Sequence, residues 1–417
     1  HLDAYLGTCE LDRRDQSLIT ELVYGVSRQR GFLDWQIDQF SQVKTIKPPT
    51  RAILRLALYQ LLFLDRIPDY AVVNTSVDFA KEADGAAAGR FVNGLLRNLI
   101  RSKNTLPSPS RENLVSYIAL TTSHPEWMVR RWLARFGEEK TLALCASNNE
   151  IPPMTLRVNA LKTSREKLID ELRAEEISAE PSPLSPDAVF VKGASVVSLP
   201  AFQRGDFYIQ DEGAQLTAYL VDPRPGERIL DFCAAPGGKT THLAELAGGK
   251  AKVTATDVHA DRLSLLKENL NRLETPGVVV EETAAALGPD RLYDKILVDA
   301  PCSALGILRR IPEGKWLKKE TIIASYAALQ LELLEKVLPH LQPGGALVYA
   351  TCSTEPEENE VVAEAFSKKH PEIAIEAPSS RLPAAARPYV NAQSYFTTAF
   401  NLDRMDGFFA ACWRKGF

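Results

Sequence analysis

The chain has 417 residues, of which 45% are hydrophobic and 24% charged, the balance of a globular protein with a sizeable core. This length favours two or three domains. A formal net charge of −4 excludes a global basic field, so any nucleic acid has to be bound through local patches. No run of about 18 apolar residues occurs, and we therefore expect no membrane contact.

The cysteines and the N-terminus indicate the compartment. The six cysteines include no CxxC pair and the histidines lack HxxxH spacing, which argues against a zinc site. A disulfide framework is not typical of a chain this long. The first residues, HLDAYLGTCELDRRDQ, lack the charged-then-apolar order of a secretory signal. We expect reduced thiols, a cytoplasmic protein and no metal.

Residues 1–105 are predicted to be all-helical. Apolar residues recur at helical spacing in SLITELVYGVSRQRGFLDWQIDQF, and two prolines precede RAILRLALYQLLFL, as at a helix start. Arg90, Arg97 and Arg101 recur near helical spacing and form either a basic stripe or an ordinary solvated face. The polar segment SKNTLPSPSREN, residues 102–113, is the predicted linker.

Two further domains are predicted after the linker. Residues 115–205 combine helical patterns with the strand-like runs MTLRVNAL and DAVFVKG, which indicates a small α+β domain. From residue 206 to 417, strand and helix patterns alternate, as in ERILDFC, KTTHLAELA, KVTATDV and ALVYATC. This alternation predicts a Rossmann-like α/β domain with a parallel sheet.

The stretch RILDFCAAPGGKTTHLAEL predicts a cofactor site, because a strand, a turn of small residues and a helix follow one another. Backbone NH groups of such a turn can approach a ligand closely. Asp257 closes the next strand, where an acid can bind a ribose diol. The turn is neither GxGxxG nor GxxxxGK[ST], which argues against a dinucleotide or ATP. S-adenosylmethionine, which carries adenosine and no phosphate, fits.

Two cysteines follow strand ends: Cys302 in ILVDAPCSALG and Cys352 in ALVYATCSTEP. Ligands of open α/β sheets bind beyond the carboxyl ends of strands, so both thiols and Asp299 are expected beside the cofactor turn. A thiolate that adds to carbon 6 of cytosine makes carbon 5 nucleophilic enough to accept a methyl group. Asp299 would act as an acid near N3, and Lys239 is the candidate positive neighbour that favours the thiolate.

These motifs resemble the RsmB (Sun/Fmu) family of 16S ribosomal RNA cytosine-5 methyltransferases over almost the whole chain. NTSVDFAKEA and GRFVNGLLRNL are similar to the NusB-like helical RNA-binding domain. YIQDEGAQL, DFCAAPGGKT, VDAPCSALGILRRIP, YATCSTEPEENE and DGFF are similar to the NOL/Sun methyltransferase core. The pair DAPCS and TCSTEPEEN is highly specific to that core.

The resemblance implies a role for each site residue. Cys352 is the nucleophile, Cys302 assists product release, and Asp299 contacts the base and the cofactor region. Asp257 and the turn bind S-adenosylmethionine, the turn residues being Cys233, Ala234, Ala235, Pro236, Gly237, Gly238 and Lys239. The family usually has Asp after the third strand, where this chain offers Glu281 or Glu282; we favour Glu282.

The predicted substrate is a flipped cytosine of 16S rRNA, gripped by the helical domain and the 115–205 domain of a monomeric enzyme. Transfer RNA or another RNA remains an alternative substrate on the same core. A non-catalytic NusB-like RNA-binding assembly factor is the alternative from another class. An amino-group methyltransferase is disfavoured, because that chemistry favours an Asn/Asp-Pro-Pro-aromatic segment where this chain has DAPC.

Overall fold

The computed structural model describes residues 2–6, 9, 11–192, 196–281, 287–288, 290–398 and 405–416. The chain divides into two compact units, His1–Ile151 with Leu308–Glu320, and Pro152–Ile307 with Thr321–Phe417. The fold class expected from the sequence is confirmed: a helical N-terminal region, a small α+β domain and a Rossmann-like α/β core. Within the described ranges, no helix is long and apolar enough to cross a membrane.

The α-helices of the described residues follow one another as α1 Leu2–Leu6, α2 Arg13–Phe40, α3 Pro48–Phe63, α4 Asp69–Asp84, α5 Ala86–Arg101, α6 Leu114–Thr121, α7 Glu126–Asn149, α8 Arg165–Ala174, α9 Pro200–Gln203, α10 Glu212–Val221, α11 Gly238–Leu246, α12 Ala260–Leu273, α13 Gly314–Leu317, α14 Ile322–Val337 and α15 Glu360–Lys369. The strands are β1 Met154–Val158, β2 Ser178–Pro181, β3 Ala188–Lys192, β4 Phe207–Ile209, β5 Arg228–Asp231, β6 Lys252–Thr256, β7 Val278–Glu281, β8 Tyr293–Asp299, β9 Leu341–Thr351, β10 Ile373–Ile375, β11 Phe396–Thr397 and β12 Phe409–Lys415.

The first unit contains helices α1–α7 and buries one face of each long helix. Asp12 caps α2 by accepting a hydrogen bond from the backbone NH of Asp15, and Pro48 opens α3, as the sequence predicts. On α5 the buried residues are Val92, Leu95, Leu96 and Leu99, while Arg90, Arg97 and Arg101 are exposed. The three arginines therefore lie on the face opposite the helical core.

Residues 308–320 belong to the helical unit although the sequence places them inside the methyltransferase core. Lys315 is fully buried there, and its Nζ donates to the carbonyls of Arg28 and Ser123 at 2.9 and 3.0 Å and to Asn149 Oδ1 at 2.7 Å. Burial lowers the pKa of Lys315 to about 7. These hydrogen bonds fix the segment against α2 and α7.

The second unit begins with a four-stranded antiparallel sheet in the order β2-β3-β1-β4. Helix α8 packs on it with an apolar face of Leu168, Ile169 and Leu172, and Ser164 caps the helix. The strand β1 is almost wholly buried, including the polar side chain of Arg157. The Arg157 side chain contacts the turn between β5 and α11 through the Gly238 carbonyl.

The larger sheet has the order β10-β12-β9-β8-β5-β6-β7, and β11 pairs with β12. Strands β5 to β9 run parallel, and β12 is antiparallel to β9. The register aligns the carboxyl ends of the central strands, with Asp231 opposite Leu297 and Asp299 opposite Ala350. The loops after β5, β8 and β9 therefore leave the sheet at one edge, where a ligand site is expected.

Candidate active site

A cleft of about 470 Å³, including space open to solvent, lies at this edge of the larger sheet. The residues that line it are Tyr208, Gln210, Asp231, Cys233, Ala234, Ala235, Pro236, Gly238, Lys239 and Asp299. Most of the cofactor-turn residues and Asp299 thus meet around one cavity.

The turn between β5 and α11 brings backbone close to the cleft. Gly237 adopts a left-handed conformation with φ of 100°, which favours glycine, and its NH donates to the Ala234 carbonyl at 2.8 Å. A Cβ on Gly238 would lie 2.9 Å from the Tyr208 ring, so a side chain would not fit there. The small residues of the AAPGGK turn therefore leave room for a ligand beside the N-terminus of α11.

Asp257 and Glu281, two of the acids singled out from the sequence, do not line the cleft. The Asp257 carboxylate accepts hydrogen bonds from the backbone NH groups of Ala235 at 3.3 Å and His259 at 3.0 Å. Glu281 ends β7 and pairs with Arg291. Glu282, the acid favoured from the sequence, lies outside the described residues.

Asp231 is a site residue that the sequence reasoning missed. It is fully buried at the end of β5 and lines the cleft, where Oδ2 accepts a hydrogen bond from Thr240 Oγ1 at 2.7 Å. Its Oδ1 has no hydrogen-bond partner within the described part of the chain. Burial raises the pKa of Asp231 to about 7. A buried carboxyl group that lines a cleft and has one oxygen without a partner suits a cationic group of a ligand, such as an amino-acid ammonium.

Arg157 supports the cofactor turn from the small sheet. It is fully buried and donates from Nη1 to Gln210 Oε1 at 2.7 Å and to the Gly238 carbonyl, and from Nη2 to Thr241 Oγ1 and Glu245 Oε1, both at 2.8 Å. Burial nevertheless raises the pKa of Glu245 to about 7, because desolvation outweighs the attraction of the guanidinium. The small sheet thus positions the turn and supplies Tyr208 and Gln210 to the cleft wall.

Lys239 and Asp299 form an ion pair at the edge of the cleft. Lys239 Nζ donates to Asp299 Oδ2 at 2.6 Å. Burial disfavours the ammonium, but the Asp299 carboxylate outweighs it and raises the pKa of Lys239. The cation is therefore already neutralised by a neighbour, which suits a cofactor without phosphate groups.

The two thiols lie together, as their parallel placement after neighbouring strands predicts. Cys302 Sγ and Cys352 Sγ are 3.3 Å apart, and both residues are half-buried free cysteines. Neither lines the 470 Å³ cleft, but Lys239 and Asp299 are close enough to act on Cys352 electrostatically. The hydrogen bond with Cys302 and burial raise the pKa of Cys352 well above its ordinary value, while Lys239 lowers it. Without a substrate, these surroundings favour the neutral thiol of Cys352 over the thiolate.

The loops that carry the thiols also contact the DGFF turn. Gly306 donates its NH to the Cys352 carbonyl at 2.9 Å and accepts a hydrogen bond from the Gly407 NH at 2.8 Å. A Cβ on Gly306 would lie 2.8 Å from the Cys352 carbonyl oxygen and closer still to that of Gly407. Across the described ranges, no group of three or more His, Cys, Asp or Glu residues could hold a metal ion.

Family models match three parts of the chain. The 16S rRNA methyltransferase RsmB/F model matches residues 218–414, the NusB family model residues 2–101, and a ferredoxin-like domain model of RsmF/B-like methyltransferases residues 124–198. The probable ribosomal RNA small subunit methyltransferase B of Bacillus subtilis (strain 168) is 37% identical over 427 residues, which cover 99% of this chain and 94% of that protein. The chain belongs to the RsmB/F family.

A second curated relative and a solved structure are also similar to this chain over most of its length. Ribosomal RNA small subunit methyltransferase B of Yersinia pseudotuberculosis serotype O:1b is 40% identical over 87% of this chain and 84% of that protein. The crystal structure of PH0851 has a TM-score of 0.84 and 29% identity, and covers 99% of this chain and 93% of that one.

The cofactor is indicated by a further structure, that of NSun6 from Pyrococcus horikoshii with SFG, an analogue of S-adenosylmethionine. It has a TM-score of 0.62 and 25% identity, and covers 70% of this chain and 98% of that one. Together with the methyltransferase family models, this structure supports S-adenosylmethionine as the cofactor of the family member described here. The cleft fits that cofactor, because it combines a backbone-lined turn with the unpartnered oxygen of Asp231.

Proposed function

We propose that this RsmB/F family member methylates carbon 5 of a cytosine in 16S ribosomal RNA, with S-adenosylmethionine as the methyl donor. The observation that carries the proposal is the pair of thiols, 3.3 Å apart, beside the Lys239–Asp299 ion pair at the cofactor cleft. Bound S-adenosylmethionine supplies an electrophilic methyl group. Carbon 5 of cytosine is a poor nucleophile by itself, so the chain's own contribution is to activate the ring.

The cofactor residues divide into three groups with different tasks. The turn from Cys233 to Lys239 provides the backbone surface against which the cofactor lies. Asp231 Oδ1, buried and unpartnered, would accept a hydrogen bond from the ammonium of the methionine moiety. Asp257 and Glu282 are the proposed acids for the nucleoside part. The Arg157 network holds the Gly238 carbonyl in place and so fixes the position of the turn.

Cys352 is the proposed nucleophile and Cys302 the proposed helper in release. The Cys352 thiol gives its proton to the Asp299 carboxylate, which protonates N3, while the sulfur forms a bond to carbon 6 and the ring gains electron density at carbon 5. After carbon 5 takes the methyl group, water takes the proton on carbon 5, and the electron pair of that C–H bond expels Cys352 Sγ from carbon 6 as a thiolate. N3 then returns its extra proton to Asp299. Cys302 lies 3.3 Å from that sulfur and can return a proton to it. The resemblance to the family assigns the nucleophile to Cys352 and the role in release to Cys302. The distance between the two sulfurs is compatible with that assignment.

Asp299 and Lys239 would manage the charge on the base. The sequence interpretation requires an acid near N3 of the cytosine during addition. In the structure Asp299 accepts a hydrogen bond from the Lys239 ammonium, so a proton is available within this ion pair. The Lys239 charge also lowers the pKa of Cys352, which favours the thiolate. The same cation thus assists the nucleophile and the base-binding carboxyl.

The substrate reaches the site as single-stranded or extruded RNA. A paired cytosine has to leave the helix at a cost of a few kcal/mol before a thiol can reach carbon 6. Arg90, Arg97 and Arg101, exposed together on α5, support RNA backbone binding by the NusB-like domain. We propose a monomeric cytoplasmic enzyme of three domains, at 1–105, 115–205 and 206–417, with a salt-sensitive affinity for ribosomal RNA.

The test is transfer of labelled methyl from S-adenosylmethionine to unmodified 16S RNA, followed by mapping of the modified base. We expect 5-methylcytosine, and we expect Cys352→Ala to lose transfer while calorimetry shows unchanged cofactor binding. Cys9→Ala, the same change in the helical unit, is the matched control. Full activity of Cys352→Ala would refute the mechanism. Methylation of transfer RNA alone would favour the other-RNA alternative, and no cofactor binding would favour an assembly factor.

A further inference from the structure

Each of the two site cysteines is followed by a serine, and the two serines share one buried carboxylate. Glu358 is fully buried in the short turn Pro356–Glu358. Its Oε2 accepts hydrogen bonds from Ser353 Oγ at 2.6 Å and from Ser303 Oγ, and its Oε1 accepts one from the Ser303 NH at 2.7 Å. The two hydroxyl oxygens are 3.1 Å apart. One side chain therefore joins the loop after β8 to the loop after β9.

Glu358 is itself held in place by its surroundings. Gln330, buried on α14, donates from Nε2 to Glu358 Oε1 at 3.3 Å and to the Pro301 carbonyl at 2.9 Å. The Tyr349 hydroxyl donates to the Glu358 carbonyl. A carboxylate has about four lone-pair positions, and the donors around Glu358 match that number. The burial removes competing water, so these charge-assisted hydrogen bonds are strong ones.

The position of this carboxylate determines what it can do. Ser303 and Ser353 are each one residue after a site cysteine, so a change in either serine moves the adjacent thiol. The two loops leave neighbouring parallel strands; their thiols are 3.3 Å apart, and the hydroxyls of the residues that follow are 3.1 Å apart. We propose that Glu358 is a positioning residue that fixes the distance between Cys302 and Cys352. Its importance for methyl transfer rests on the proposed function, whereas its effect on the distance does not.

Substitutions of Glu358 should follow the number of hydrogen bonds that each retains. Glu358→Gln keeps the shape and one acceptor oxygen, and its amide NH₂ can donate to hydroxyls that rotate to accept. Glu358→Ala removes every side-chain contact and keeps only the backbone ones, such as that from Tyr349. A displacement of about 1 Å in a catalytic group can cost on the order of 100-fold in rate. We expect Glu358→Ala to lower methyl transfer by about 100-fold and Glu358→Gln by about tenfold, with cofactor affinity within about twofold of wild type.

The distance between the thiols is measured by cross-linking with diamide, without RNA or cofactor. The two thiols lose two electrons and two protons to the diazene, which becomes a hydrazine, and an intramolecular disulfide forms. The rate is followed by mass spectrometry of the peptides that contain Cys302 and Cys352. We expect the rate to fall at least about tenfold in Glu358→Ala and less in Glu358→Gln. Glu364→Gln, the same change on the exposed face of α15, is the matched control.

A double variant, Ser303→Ala with Ser353→Ala, removes both hydroxyls without emptying the carboxylate site. It should slow cross-linking like Glu358→Gln, and it serves if Glu358→Ala does not fold. The proposal is overturned if folded Glu358 and serine variants cross-link at the wild-type rate. Slower cross-linking with unchanged methyl transfer would also overturn a role in positioning for the reaction. The cross-linking needs no RNA. It therefore still tests whether Glu358 sets the distance between the thiols if the protein proves not to methylate 16S RNA.

Discussion

Replacement of Gly306 by alanine should displace Cys352. The added Cβ would lie 2.8 Å from the Cys352 carbonyl oxygen, and an ordinary contact begins at 3.4 Å, so the carbonyl has to move by about 0.6 Å. The Gly407 carbonyl oxygen lies closer still, so the added Cβ clashes with a second backbone atom as well. Both neighbours are backbone atoms, so no side chain can simply rotate away. The Cys352 carbonyl accepts a hydrogen bond from the Gly306 NH, and the Gly407 NH donates one to the Gly306 carbonyl.

A shift of this size has a calculable effect. Since misplacement by about 1 Å can cost on the order of 100-fold, a shift of about 0.6 Å corresponds to a fall in kcat of about tenfold or more. Overpacking should lower the free energy of unfolding by about 1–3 kcal/mol. The assay is single-turnover methyl transfer to 16S RNA, with cofactor binding and urea unfolding measured in parallel. Gly416→Ala, where a Cβ meets only the Glu372 carbonyl oxygen at an ordinary 3.5 Å, is the control. A Gly306→Ala enzyme with wild-type kcat would refute the reasoning.

Three further predictions concern buried charges and product release. Arg157→Met should lower the free energy of unfolding by about 3–5 kcal/mol, because it leaves Glu245 buried without its partner. Adding Glu245→Leu should restore most of this loss, as measured by urea titration. An Arg157→Met variant as stable as wild type would contradict this. Asp231 has a pKa raised by burial from 3.8 to about 7, so its ionisation destabilises the cofactor-free protein as pH rises through this window. Asp231→Asn should therefore have a higher free energy of unfolding than wild type at pH 8, by up to about 4 kcal/mol, but not at pH 4, and should bind cofactor more weakly. An equal difference at both pH values would argue against the assignment. Cys302→Ser should accumulate a covalent RNA adduct on denaturing gels, and a wild-type profile would remove its role in release.

The sequence predicts the fold class and the neighbourhood of the site because those depend on local patterns. Alternating strands and helices imply a parallel sheet, and the register of β8 with β9 then brings Cys302 and Cys352 to the same edge. Lys239 and Asp299 follow from the same rule. The small residues of the AAPGGK turn likewise predict that the backbone can approach a ligand closely.

The long-range contacts could not be read in this way. Arg157 and Glu245 are 88 residues apart, and only the packing of β1 against α11 brings the pair together. In the sequence, Asp231 is indistinguishable from any polar residue at a strand end. Its burial and its unpartnered oxygen are visible only in the structure. Glu358 lies in a segment that the sequence marks only by resemblance. Residues 308–320 follow Cys302 closely, yet the buried Lys315 belongs to the helical unit.

The central claim is a covalent bond between Cys352 and carbon 6 of a cytosine, and a mechanism-based trap tests it most directly. In 16S RNA that contains 5-fluorocytidine, fluorine replaces the proton that must leave carbon 5, so the enzyme cannot be released after methyl transfer. Incubation with S-adenosylmethionine should give a stable protein–RNA adduct, and mass spectrometry of its peptides should place the bond on Cys352. An adduct on Cys302, or methyl transfer to unmodified RNA with no trapped adduct, would contradict the mechanism.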